Sequence, residues 1–105
     1  AITGRWGWPH LQARRRRRAA RDRLRLCDGA AALRRQLRAE LDALPSPVRP
    51  VTRERLAQRG AAEEWLAALA MLESWCFDPQ QRPQSAEFDT VRQRLIDQLP
   101  VHWFR

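Results

Sequence analysis

Leu33, Leu37, Leu41 and Leu44 fall four, four and three residues apart, and Ala30 extends the row by one step. That period places them on one face of an α-helix. The same spacing returns at Trp65, Leu69, Leu72 and Cys76, and again at Phe88, Val91, Leu95 and Leu99. The chain is rich in Ala, Leu, Arg, Gln and Glu, has only 4 glycines, and shows no β-branched runs. These residues favour helix and give a sheet little to build on. The expected class is all-α: a small antiparallel bundle with a long, basic N-terminal helix and two to three shorter helices. A length of 105 residues allows one such domain with one modest core.

Proline and glycine punctuate the helices. Residues 1–9 read as a non-helical lead-in, with Pro9 suited to the first turn of the helix that follows. Helical sequence continues to Leu44, where "PSPVRP" stops it. Gly29 interrupts this segment, and the apolar pattern changes phase there. Upstream, Ala13, Ala20, Leu24 and Cys27 share a face; the downstream leucine face is rotated from it by roughly 120°. Leu26 falls in phase with the downstream stripe. Either a kink or break at Asp28-Gly29 or one straight helix touching different partners along its length produces such a shift; a straight or slightly kinked helix is expected, because a helical glycine costs only about 1 kcal/mol.

The domain therefore divides into a basic segment (10–27), a core-packing half (28–44), a Pro-rich linker (45–51) and a helical body with an aromatic tail (52–105). Within that body, Thr52 is the expected N-cap of a short helix ended by Gly60. The most apolar helix runs over 61–77, its stripe widened by Leu66, Met71 and Trp75. Ser85 is the expected cap of the last helix, and Trp103 is expected to cover one end of the bundle.

The charge is concentrated. All 20 basic residues are arginine and the net charge is +8. High-GC codon usage explains the absence of lysine more simply than selection for forked phosphate recognition. The distribution is more informative. Residues 5–25 hold nine arginines against Asp22 alone, and the rest of the chain is neutral, eleven arginines against eleven acids. This is a neutral body with one cationic segment.

Arg14, Arg18, Arg21 and Arg25 recur at four, three and four and form a ridge about three turns long, with Arg15, Arg16, Arg17 and Arg23 around it. Like charges at these spacings repel by tenths of a kcal/mol per pair. The competing reading is a solvated face whose repulsion is tolerated, or arginine stems lying over the apolar stripe. The candidate binding residues are Arg14, Arg15, Arg17, Arg18, Arg21 and Arg25. Trp6 and Trp8, beside them, belong to no helical stripe. They can pack on the bundle, stack on unpaired bases, or mark a membrane interface, since tryptophans followed by arginines are the pattern at the cytoplasmic end of a membrane span.

Other chemistries find little support. Cys27, Cys76, His10 and His102 lack the close pairing of zinc ligands, and both cysteines fall on apolar stripes. A disulfide would require export. No glycine-rich phosphate loop or triad order is present. "TRERLAQRGAAEEWLAAL" has a helix-turn-helix order, but Gly60 falls one residue early and Glu63 and Glu64 would repel phosphate at the start of the second helix.

The expected function is a non-enzymatic helical module, without metal or cofactor, that contacts nucleic acid without sequence specificity. With about five phosphates engaged, log affinity would fall against log salt at a slope near −4 to −5. Two alternatives stand beside it. One is a protein-interaction domain at an anionic membrane surface, which a span of about 20 apolar residues before Ala1 would favour. The other is a subunit that self-associates or binds a protein partner through Ala13, Ala20, Leu24 and Cys27, should the bundle leave that ridge bare. The expected location is cytoplasmic, at a membrane if a span lies upstream of Ala1.

Overall fold

In a computed structural model the chain is all-helical. The structure describes the backbone of residues 2–78 and 80–105, and the side chains of residues 8–78 and 80–105. Helix α1 covers Ile2–Arg25, α2 Ala30–Asp42, α3 Arg53–Gln58, α4 Glu63–Phe77 and α5 Ser85–Asp97, followed by a 3-10 turn, Val101–Phe104. Among the described residues there is no strand. Helix α4 packs on α5 and α2; α1 packs on α5, on the C-terminal turn and on α2; α3 lies against α4.

The leucine stripe forms as its period requires. Leu33, Leu37 and Leu41 are fully buried on α2, and Leu44 and Val48 follow them into the core. Phe88, Val91, Leu95 and Leu99 are buried in and just after α5. Thr52 caps α3, its hydroxyl accepting from the Arg55 N–H at 3.2 Å. The centre of the core is aromatic. Trp65 and Trp103 meet edge to face with ring centroids 5.3 Å apart. Each indole N–H is satisfied, Trp65 by the Leu95 carbonyl at 3.1 Å and Trp103 by the Arg59 carbonyl at 2.6 Å. Trp103 thus closes one end of the bundle.

The continuous helix expected across residues 10–44 is two helices. Backbone bonds from Leu26 N–H to Asp22 O and from Cys27 N–H to Leu24 O end α1, and Gly29 caps α2 at φ 110°, ψ 151°. Only glycine adopts that conformation readily. The phase change reflects different neighbours, α5 and the C-terminal turn for α1 and α4 for α2, and α1 and α2 also pack on each other, which one straight rod could not do. The freed Cys27 carbonyl accepts from Arg92 Nη1 at 2.8 Å. Leu26, in phase with the stripe of α2 but lying in the break, is 84% exposed.

Four further expectations are corrected. Residues 2–9 are helical, not a lead-in, and Pro9 lies inside α1. The ring removes one backbone bond, to the Arg5 carbonyl, but helix continues on both sides of it. Helix α4 begins at Glu63, two residues after Ala61. Ser85 is the first residue of α5 and Gln84 its cap position, so the Ser85 hydroxyl makes no capping bond. Met71 is 47% exposed and adds nothing to the core, because α4 buries Leu66 and Ala68 instead.

Candidate polyanion-binding face of helix α1

Ala13, Ala20 and Leu24 are buried in the core, which fixes the rotation of α1 about its axis. Cys27 is half-buried against the same cluster. The ridge expected to be open for self-association or a protein partner is therefore covered within the chain, by the elements α1 packs on. The opposite face of α1 points outward.

The six arginines expected to act together separate into two groups. Arg14, Arg15 and Arg18 are exposed, and no acidic side chain among the described residues pairs with them. The other three are engaged. Arg17 flanks the buried stripe; its Nε donates to the Leu99 carbonyl at 2.5 Å and its Nη2 to the Asp97 carbonyl at 3.1 Å. A cation there complements the negative end of α5. Burial, and then the nearby charge of Arg21, hold the Arg17 guanidinium below its usual range. Arg21 reaches the Asp97 carboxylate at 3.4 Å, and its Nε is buried without a partner. Arg25 pairs with Asp22 at 3.1 Å along the same helix. These three serve α1 and its contacts.

Arg23 takes a structural part too. Its Nε and Nη2 donate to the two carboxylate oxygens of Glu40 at 2.6 and 2.7 Å, tying α1 to α2. Arg16, which the sequence did not single out, is exposed on the side of α1 towards Arg23. With Ala19, Arg23, Glu40, Ala43 and Phe104 it lines an open cleft of about 620 Å³.

Trp8 is 54% exposed and Leu11 50% exposed. At about 100° per residue, Trp8, Leu11, Arg15 and Arg18 share a strip roughly 80° wide opposite the buried stripe, with Arg14 at its edge. Leu11 was missed in the sequence because it fits no core stripe; being apolar on the polar face is itself the signal. Trp6 lies outside the described side chains. Upstream of Ala13, residues 8–11 are all exposed.

Burial pushes both the Cys27 and Cys76 thiols up, away from the thiolate form. Among the described residues no group of three His, Cys, Asp or Glu side chains is placed to hold a metal ion, and no helix is long and apolar enough to cross a membrane. In comparison with known proteins, the chain matches no family model, no curated protein and no solved structure.

Proposed function

We propose that this chain is a non-enzymatic helical module that docks on a phosphate-bearing surface through the outward face of α1. The observation that carries the reading is that Arg14, Arg15 and Arg18 are exposed and unpaired on a helix whose other face is locked into the core. Because the helix is already formed, contact costs the rotamer freedom of the arginine side chains and no backbone freedom. Recognition is by charge and not by sequence, since three exposed arginines can meet the phosphates of any sequence alike. Nucleic acid and anionic lipid headgroups both present such a surface.

Three free arginines set the salt dependence. Against a short DNA duplex, log affinity is expected to fall with log salt at a slope of about −3, shallower than six engaged arginines would give. Titration of labelled duplex at several salt concentrations measures it. Replacing Arg14, Arg15 and Arg18 together by Gln should remove the binding for every sequence alike. Binding that survives this change, or does not respond to salt, would overturn the reading.

A further inference from the structure

We infer that the surface on which α1 docks is an anionic lipid bilayer, with Trp8 and Leu11 entering the headgroup region ahead of the arginines. This rests on the phosphate-surface reading above and adds the identity of the partner. The observation behind it is the mixed chemistry of the strip. Trp8 and Leu11 are each about half exposed in the N-terminal half of α1, and Arg14, Arg15 and Arg18 follow within three turns on the same side. The strip ends at Asp22, which is taken up by Arg25.

A nucleic acid has a use for part of this arrangement only. Trp8 can stack on an unpaired base. Leu11 has no flat face to stack and no hydrogen bond to give, and beside a phosphate backbone it stays in water. At a bilayer both side chains leave water together: the indole suits the interfacial layer, the leucine reaches the acyl boundary, and the guanidinium groups meet phosphates at the level above. The order along the helix fits this geometry, because the apolar pair precedes the cations on the same face. Residues 8–11 are exposed and outside the core, so the contact requires no rearrangement of it.

The test uses the full chain, phosphatidylcholine vesicles with and without phosphatidylserine, and a short DNA duplex at the same phosphate concentration and salt. Binding is expected to vesicles containing phosphatidylserine and not to phosphatidylcholine alone. Each arginine near an anionic surface contributes about fivefold in affinity, so Arg14→Gln, Arg15→Gln and Arg18→Gln together should weaken vesicle binding about a hundredfold. Trp8→Ser with Leu11→Ser leaves the charge untouched; it should weaken vesicle binding at least tenfold and leave duplex binding unchanged. These side chains are exposed, and an unchanged helical circular dichroism spectrum confirms the fold of each variant. Vesicle binding that is indifferent to Trp8 and Leu11, or a wild type that binds duplex and ignores vesicles, would overturn the lipid assignment while leaving the phosphate-surface reading standing. A wild type that binds neither would overturn both.

Discussion

Arg23 and Glu40 form a two-pronged pair across the α1–α2 contact, at 2.6 and 2.7 Å, with Glu40 only 6% exposed and also accepting from Gln36 Nε2 at 2.8 Å. The two partners are not equivalent. Arg23 is half in water, whereas the carboxylate is in the interior. Removing the arginine strands a buried negative charge; Glu40→Gln keeps one accepting oxygen and turns an NH2 toward the donors, but Arg23 can still reach water. Arg23→Ala is therefore expected to cost about 2 kcal/mol, less than a fully buried pair because Arg23 is partly solvated. Glu40→Gln should cost about 1 kcal/mol. Urea unfolding of both variants checks the order, and Glu40→Gln proving the more damaging would contradict it.

The same pair sets a pH dependence. The Arg23 hydrogen bonds, against some opposing burial, hold the Glu40 carboxyl below its usual range. A carboxyl lowered in the folded state binds its proton more readily in the unfolded state. Its contribution is present above the ordinary glutamate pKa of about 4.3 and is lost as pH falls through the lower, folded value. Stability measured from neutral pH down through this window should fall more steeply for the wild type than for Glu40→Gln. Parallel curves would remove Glu40 as the cause.

Gly29→Ala isolates the backbone at the helix break. A Cβ at Gly29 meets nothing within 4 Å, so no steric clash enters; only φ 110° opposes the substitution. The expected loss is about 1–2 kcal/mol by thermal unfolding. Gly60→Ala should add a side-chain cost, since its Cβ would come within 3.0 Å of the His102 ring at φ 88°. An unchanged or raised Tm for Gly29→Ala would mean the turn can relax into a continuous helix.

Leu24 and Leu26, two residues apart, should behave as opposites. Leu24→Ala opens a void in the core and is expected to cost about 3–4 kcal/mol. Leu26→Ala changes an exposed side chain and should stay within about 0.5 kcal/mol. Equal losses at the two positions would place Leu26 in the helical stripe after all.

The periodic parts of the fold could be read from the sequence because burial follows local spacing. Leu33 to Leu44 and Phe88 to Leu99 announce their faces, and Thr52 announces its cap. What could not be read depends on partners distant in sequence. Arg17 and Arg18 are adjacent and chemically identical, yet one is held by the Leu99 carbonyl and the other is open. Nothing near residue 17 encodes a bond spanning 82 positions. For the same reason three of the six candidate arginines, Arg14, Arg15 and Arg18, are open, and three, Arg17, Arg21 and Arg25, are held within the chain. The break at Gly29 was visible as a phase change, but its resolution into two helices depends on α1 and α2 having different neighbours. Pro9 was given the boundary it usually marks, and α1 extends past it.

The placement of Trp103 and Phe104 bears on how the molecule comes into being. Both are buried, and the turn that carries them packs on α1, so the last residues complete a surface begun by the first helix. The apolar stripe of α1 therefore stays uncovered until Trp103 and Phe104, far later in sequence, can reach it. A chain cut before Trp103 would keep every long helix and lack a closed core.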